Sequence, residues 1–320
     1  MTVVPQGSFT VATFPDDPRP AHWRQPVVAV GNFDGLHRGH QKILERVSRQ
    51  ALERGVTPLV LTFDPHPPRV VRPDKAPPLL MTPEQKLEAI RTAGMRGVAV
   101  VRFTHELSQW DPDAFVQAVL VDWLRVSEVW VGGNFLFGRE RSGNFTLLRA
   151  LGQHYAFRVE KIDPVRYKDF VVSSTRVRRL VAEGRVDEAG ALLGHAYFID
   201  GRIGVGDGRG RQLGFPTANL VTANELLPPD GVYATVAQLG TALHASVTNI
   251  GVRPTVPGDG GRVIETHLFD VARDLYGETV RVAFLQRLRD ERKFPDLPAL
   301  VAQIATDCAH ARDLFARVSL

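Results

Sequence analysis

Two histidines three residues apart, His37 and His40, stand in the run Gly31-Asn32-Phe33-Asp34-Gly35-Leu36-His37-Arg38-Gly39-His40, between an apolar run and an amphipathic stretch. A strand feeding a helix through such a turn offers the helix's unpaired N–H groups and the positive end of its dipole, and both stabilise an anion. Gly35 and Gly39 leave room for a phosphate to come close. Residues three apart share a helix face, so both imidazoles point toward whatever those N–H groups hold. Donors fixed where charge builds on a leaving pyrophosphate suit nucleotidyl transfer without a covalent intermediate. The plainer alternative makes the two histidines surface or capping residues.

A second constellation lies downstream. Six glycines, Gly201, Gly204, Gly206, Gly208, Gly210 and Gly214, fall within fourteen residues and lead into Phe215-Pro216-Thr217-Ala218-Asn219. Glycines this dense on a strand and loop point to close backbone approach to a ligand, the alternative being a merely flexible surface loop. Thr217 and Asn219, two apart on an extended segment, project the same way, so a hydroxyl and an amide oxygen can reach one hard cation. Glu265 sits in Val263-Ile264-Glu265-Thr266-His267-Leu268-Phe269, where alternation turns it away from Ile264 and Leu268. A solvated strand carboxylate is the competing reading.

The elements that must position these groups differ between the two halves. From Val27 to Ile162 short apolar runs (Val27–Val30, Leu59–Phe63, Val98–Phe103, Val129–Val131) alternate with amphipathic stretches such as Ile43 to Leu52 and Phe115 to Leu124, which predicts a parallel α/β sheet. Ser173 to Gly194 reads as two short helices closed by Gly184 and Gly194, a hinge between domains. Beyond Tyr197 period-two strands, such as Val280, Val282 and Phe284, with turns at Gly201, Pro229–Gly231 and Pro257–Gly261, predict a small antiparallel barrel. Leu297, Leu300, Val301, Ile304, Cys308, Ala311, Leu314 and Phe315 recur at helical spacing behind an Asp296 N-cap, with Pro298 in the first turn. The expected domains are 1–186 and 187–320.

Composition narrows the classes. With 320 residues, 44% of them hydrophobic, two domains are expected. The N-terminus has no signal-peptide pattern and no apolar run is long enough to span a bilayer, so the expectation is a cytoplasmic protein with no membrane partner. Cys308 is the single cysteine, which excludes an internal disulfide or a cysteine zinc cluster and suggests a core thiol. The net charge of +4 is scattered along the chain, favouring an anionic small molecule over nucleic acid.

The first motif resembles the H-x-G-H signature of the nucleotidylyltransferase superfamily, and its Gly-Asn-Phe-Asp-Gly wording resembles the bacterial FAD synthetases. Leu61-Thr62-Phe63-Asp64-Pro65-His66-Pro67 and Val131-Gly132-Gly133-Asn134-Phe135-Leu136-Phe137-Gly138 are similar to that family's second and third signatures, though many members carry Asp where Asn134 stands. Ser173-Ser174-Thr175-Arg176-Val177-Arg178 is similar to its S-S-T-x-I-R segment, whose hydroxyls and arginine would make a further anion clamp. The resemblance implies a Rossmann-like domain in which His37 and His40 are catalytic, and Gly31, Phe33, Asp34, Gly35, Asp64, His66, Asn134, Ser174, Thr175 and Arg178 bind nucleotide.

Leu213-Gly214-Phe215-Pro216-Thr217-Ala218-Asn219-Leu220 resembles the riboflavin kinase signature. That likeness implies a kinase barrel in which Thr217 and Asn219 hold Mg²⁺ and Glu265, of a Glu-Thr-His motif, is the general base. It also implies that Gly204, Gly210, Gly214, Pro216 and Arg289 lie against nucleotide or flavin, with a surface role for Arg289 left open. Ser246–Thr255, Asp274–Gly277 and Leu288–Phe294 extend the likeness, with Tyr276 and Phe294 read first as core residues. Together the two resemblances imply an enzyme that uses ATP and Mg²⁺ in both halves, converting riboflavin to FMN and FMN to FAD, as a monomer or a weakly self-associating chain. Two alternatives stand beside it: one half without activity, which Asn134 leaves open, and a non-catalytic flavin-binding regulator, against which the paired histidines and Glu265 argue.

Overall fold

The computed structural model describes residues 8–206, 210, 213–252 and 262–317. By its internal contacts the chain divides into two units, Met1–Pro78 with Pro83–Ser173, and Leu79–Thr82 with Ser174–Leu320. The turn expected at Pro257–Gly261, the stretch Arg253–Thr255 and the loop residues Asp207–Arg209 and Arg211–Gln212 lie outside the described residues.

The first unit is built on a six-stranded sheet of β1 (Thr10–Phe14), β2 (Val27–Val30), β3 (Pro58–Asp64), β4 (Gly97–Arg102), β5 (Glu128–Gly132) and β6 (Arg158–Ile162). Their spatial order is β1-β4-β3-β2-β5-β6 and every pairing is parallel. Helices α1 (Arg38–Arg54), α2 (Pro67–Val71), α3 (Pro83–Thr92), α4 (His105–Ser108), α5 (Pro112–Phe115) and α6 (Phe145–His154) lie between strands. The four residues of β2 are all buried, as a central parallel strand covered on both faces requires. Its core joins Val28, Val30, Leu59, Leu61, Val129 and Val131 to Phe115, Leu120 and Leu148. The stretch predicted as a helix over Phe115 to Leu124 continues α5 as a π-helix, Val116–Trp123, in which the Leu124 N–H bonds the carbonyl five residues back on Val119 at 3.1 Å.

From β2 the chain steps through β3 to β4 on one side, then returns as β5 on the other side of β2. That reversal creates a switch point, and in open α/β sheets ligands gather outside the carboxyl ends of the strands there. The segments Gly31–His40, Asp64–His66 and Gly133–Phe137 all leave the carboxyl ends of three neighbouring strands, β2, β3 and β5.

A hairpin of β7 (Arg166–Tyr167) and β8 (Phe170–Val171) ends the first unit. The second unit opens with α7 (Ser174–Ala182) and α8 (Val186–Leu193), which end as expected: Gly184 and Gly194 both adopt left-handed backbone, at φ +76° and +82°. Six antiparallel strands follow, β9 (Tyr197–Gly204), β10 (Ala218–Thr222), β11 (Gly231–Leu239), β12 (Ala242–Val252), β13 (Arg262–Leu268) and β14 (Thr279–Arg289), closed in the order β10-β13-β12-β11-β14-β9. Inside the barrel, Tyr233, Ile250, Ile264, Val282 and Phe284 are buried. They share the interior with four buried hydroxyls: Thr235 contacts Ser246 and Thr248 at 2.8 Å each, and Thr248 contacts Thr266 at 3.0 Å.

Outside the barrel, the C-terminal helix Leu297–Arg317 packs Cys308 and Ala311 onto Val232, Ala234, Val247 and Phe269. Asp296 caps it, accepting the Ala299 N–H at 2.8 Å. Arg289 and Asp307 fasten it: the Arg289 Nε and Nη2 reach the Asp307 carboxylate at 2.9 and 2.8 Å, and Gln303 donates to the same group. Two apolar expectations are corrected. Leu297 is 62% exposed because the buried residues of the helix begin only at Asp307, nearly three turns further on, and Tyr276 is 52% exposed rather than core. Phe294 is half-buried under the Arg289 and Arg292 guanidiniums, 5.6 and 5.0 Å from its ring centre.

Candidate active sites

At the carboxyl end of β2 the chain turns sharply before α1. Phe33 and Leu36 take positive φ values of +49° and +38°, and Gly35 one of +82°, so three left-handed residues fold the loop back on itself. Phe33 and Asp34 are buried beneath it. The loop is tied to β3 by the Gly31 N–H on the Leu61 carbonyl at 3.1 Å and by the Thr62 hydroxyl on the Asn32 carbonyl at 3.3 Å.

His37 is the N-cap of α1, its Nδ1 accepting the His40 N–H at 3.3 Å. A neutral ring that accepts at Nδ1 carries its hydrogen on Nε2, which makes Nε2 the donor. The two imidazoles stack, their centres 3.7 Å apart and their planes within 15°. Gly39 permits this: a Cβ there would lie 3.1 Å from the His37 ring. Its absent side chain makes room for a histidine, whereas the sequence pattern suggested room for phosphate. Phe33 supports the other member of the pair, 5.0 Å from His40 between ring centres.

Asp64 ends β3, and His66, buried, precedes α2 with Pro67 at the helix start. Asn134 is exposed in the turn that follows β5, beside the stacked rings of Phe135 and Phe137. Lys86, which the sequence motifs do not single out, belongs to this set. Burial on α3 pulls its ammonium below the ordinary lysine range, and the charges of Asp34 and Asp64 act in the opposite direction. No spacing rule links residue 86 to 34 or 64; the relation exists only once the chain is folded. Ser174 opens α7, with Thr175 exposed and Arg178 half-buried one turn on; all three lie in the second unit.

In the barrel, the residues read from the sequence form a cross-strand row. Asn219 on β10 is the direct partner of Gly204 on β9 and of Glu265 on β13, and Glu265 is in turn the partner of Asn249 on β12. Partners across an antiparallel ladder share a face, so Asn219 and Glu265 lie side by side on the outer surface. Ile264, Thr266 and Leu268 occupy the interior face.

Two of the glycines press tightly on this row. A Cβ on Gly206 would fall 1.9 Å from the Asn219 amide nitrogen, and one on Gly210 would fall 2.4 Å from the Phe215 carbonyl and 3.1 Å from the Thr217 hydroxyl. Gly214 turns the chain into Pro216 at φ +85°. A hydroxyl, a carboxamide and a facing carboxylate are hard oxygen donors, which fit Mg²⁺, a cation that keeps several waters and phosphate oxygens. Among the described residues no cluster of three or more His, Cys, Asp or Glu could hold a metal by itself, so any ion here leans on neutral oxygens and its ligand. Arg289 faces Asp307, as described above, and its guanidinium holds the C-terminal helix.

A parallel sheet with stacked histidines at its switch point, followed by a closed barrel with an Asn–Glu pair under a glycine loop, defines a two-part phosphate-handling transferase. Comparison with known proteins gives each part its family. Residues 19–176 match the FAD synthetase family and residues 193–315 the riboflavin kinase family. A bifunctional riboflavin kinase/FMN adenylyltransferase of Pseudomonas fluorescens is 42% identical over 301 residues, 93% of this chain and 95% of that one. The protein of that name from Escherichia coli K12 is 39% identical over 290 residues, 90% and 92% of the two chains.

A crystal structure described as a macrolide-efflux protein from Streptococcus pneumoniae superposes with a TM-score of 0.85 at 28% identity, covering 94% of this chain and 98% of that one. Among the described residues no helix is long and apolar enough to cross a membrane. The chain belongs to the bifunctional riboflavin kinase/FMN adenylyltransferase family, and it is an enzyme of the transferase class.

Proposed function

We propose that residues 187–320 transfer the γ-phosphoryl group of ATP to riboflavin, and that residues 1–186 transfer the adenylyl group of a second ATP to the resulting FMN. The ends of the two family matches, at 176 and 193, support a border between them. The observation that carries the reading is that each unit has its own polyphosphate apparatus: stacked His37 and His40 at a helix start in one, and Asn219 beside Glu265 under glycines in the other.

In the kinase reaction the ribityl 5′ oxygen attacks the γ-phosphorus, its proton passes to the Glu265 carboxylate, and ADP leaves. Thr217 and Asn219 would hold Mg²⁺; when bound, the ion screens the charge of the phosphate oxygens. Gly204, Gly210, Gly214 and Pro216 bring backbone close to the nucleotide. In the adenylylation an FMN phosphate oxygen attacks the α-phosphorus of ATP, the bond to the β-phosphate oxygen breaks, and pyrophosphate leaves. His37 and His40 donate hydrogen bonds to the phosphates as that charge develops. Gly31, Phe33, Asp34, Gly35, Asp64, His66 and Asn134 bind nucleotide in the first unit, the hydroxyls of Ser174 and Thr175 and the Arg178 guanidinium offer a further phosphate clamp, Mg²⁺ accompanies this ATP as well, and Arg289 contributes to the flavin side of the kinase site. The protein works in the cytoplasm, as a monomer or a weakly associating chain, without nucleic acid or membrane as partner.

A time course with riboflavin, ATP and Mg²⁺, resolved by chromatography, tests the whole: FMN appears first and FAD follows. Replacing both His37 and His40 by Ala leaves FMN as the end product, and Glu265→Ala blocks FMN formation while added FMN is still converted to FAD. Loss of the same half-reaction in both variants, with riboflavin phosphorylation and the adenylylation of added FMN assayed separately, would overturn the assignment of reactions to units.

A further inference from the structure

The Glu-Thr-His motif contributes Glu265 to the proposed chemistry and leaves His267 without a role. Its position in the barrel supplies one. The ladder between β10 and β13 holds two registered pairs, Ala218 with Thr266 and Asn219 with Glu265. Toward the beginning of β10 the next residues are Thr217 and Pro216, and a proline has no N–H with which to extend a ladder. The two strands would part there, at Thr217, one of the two oxygen donors assigned to the cation.

The His267 side chain spans that gap. Its Nδ1 lies 2.8 Å from the Pro216 carbonyl oxygen, and since a carbonyl only accepts, Nδ1 carries the hydrogen. The ring stands edge-on between Phe215 and Phe269, 5.6 Å from each ring centre at 81° and 63°. Phe269 belongs to the apolar cluster under the C-terminal helix, and Phe215 packs against the same cluster. From the other side the Phe215 N–H bonds the Gly210 carbonyl at 2.8 Å, so Gly210 is attached to the same short segment. Thr217 is thereby held between two fixed points, the imidazole-bound carbonyl of Pro216 before it and the ladder pair at Ala218 after it.

We propose that His267 is a positioning residue for the riboflavin kinase reaction: its bond to Pro216 sets Thr217 at the spacing from Asn219 that a Mg²⁺–nucleotide complex requires. The inference rests on the reading of Thr217 and Asn219 as the cation-binding pair. Outer partners that orient metal-binding groups contribute roughly 10- to 100-fold to metal affinity, which sets the size of the effect.

The test uses the full-length protein with two substitutions. His267→Phe keeps the ring's volume and removes the donor; His267→Asn places an amide N–H near the position of Nδ1. Calorimetry without turnover measures ADP affinity with Mg²⁺ and with EDTA, and FMN formation is titrated against Mg²⁺. His267→Phe is expected to weaken Mg²⁺–ADP binding and raise the Mg²⁺ requirement roughly tenfold or more, with metal-free ADP affinity unchanged and FAD formation from FMN retained. His267→Asn is expected to recover most of the loss. Unchanged Mg²⁺–ADP binding in His267→Phe, an equal loss with EDTA, or no recovery in a folded His267→Asn would each overturn the proposal. Thr217→Ala, measured in parallel, separates the two levels: if it leaves Mg²⁺–ADP affinity intact, the cation reading has failed, and if it alone weakens binding, only the role of His267 has failed.

Discussion

Asn219 and Glu265 are direct partners across β10 and β13, and the carboxamide and carboxylate share the outer face of the barrel. An acid in this place can be changed without disturbing the interior, since its strand neighbours Ile264 and Thr266 point inward and are buried. Glu265→Gln is therefore expected to reduce the rate of FMN formation by about 10²- to 10⁴-fold, the usual contribution of a general base. Riboflavin turnover and thermal melting, measured on one sample, check this: activity falls while the melting temperature stays.

Gly206 lies against the Asn219 amide so closely that a Cβ would come within 1.9 Å of its nitrogen. Gly206→Ala must displace either the loop or the amide. Misplacement by about 1 Å at a positioned group costs on the order of 10²-fold in rate. FMN formation is expected to drop by that order, while FAD formation from added FMN is unaffected.

Gly39→Ala separates stability from activity in the first unit. Alanine in a helix is favoured over glycine by about 0.5–1 kcal/mol, yet its Cβ would press on the His37 ring at 3.1 Å. The variant is expected to resist urea as well as the parent or better, and to lose FAD formation. An unchanged adenylylation rate would show that the stacked geometry of His37 and His40 is not needed.

The ion pair between Arg289 and Asp307 is a stability element, with Asp307 only 3% exposed. Arg289→Met leaves that carboxylate buried without its partner and is expected to cost roughly 3 kcal/mol, whereas Arg289→Met with Asp307→Leu recovers most of it. Urea unfolding of the three proteins, followed by circular dichroism, gives both numbers. Flavin binding by the double variant then tests whether Arg289 also serves the ligand.

Lys86 gives a pH signature. Its folded pKa lies below the ordinary 10.5 because burial disfavours the ammonium. Between the lowered folded value and 10.5 the unfolded chain binds more protons than the folded one, so stability contributed by this group rises with pH across that window. Unfolding free energies measured as the pH is raised toward 10.5 are expected to rise relative to those of Lys86→Met, whose difference from wild type narrows or reverses with pH. A constant difference would mean that the lysine is not desolvated.

Where the sequence could be read, local chemistry controlled the outcome. Val27–Val30, Leu59–Phe63 and Val129–Val131 are apolar because central parallel strands are buried on both faces, and Gly184 and Gly194 close helices because left-handed backbone favours glycine. The strand Arg158–Ile162 escaped because an edge strand carrying Arg158, Glu160 and Lys161 in exposed positions has no apolar period to detect. Thr235, Ser246, Thr248 and Thr266 look polar and are interior, since each hydroxyl meets another. His37, His40, Thr217, Asn219 and Glu265 were legible as motif members. Lys86 was not, and His267 stood in a motif without a role, because their partners lie on other elements and only the folded topology supplies them.

Those interior hydroxyls bear on how reliably the barrel can assemble. Burial of Ile264 and Leu268 already fixes which face of β13 turns inward, and a chain of directed O–H contacts adds a second constraint on the same register. A one-residue slip of β13 against β12 would turn Thr266 out of the chain and carry Glu265 into the greasy centre. The wrong alignment would then be penalised further, by a stranded hydroxyl and by a desolvated carboxylate, so a set of small, chemically inert side chains acts as the proofreading step that delivers the acid to the outer face of the barrel.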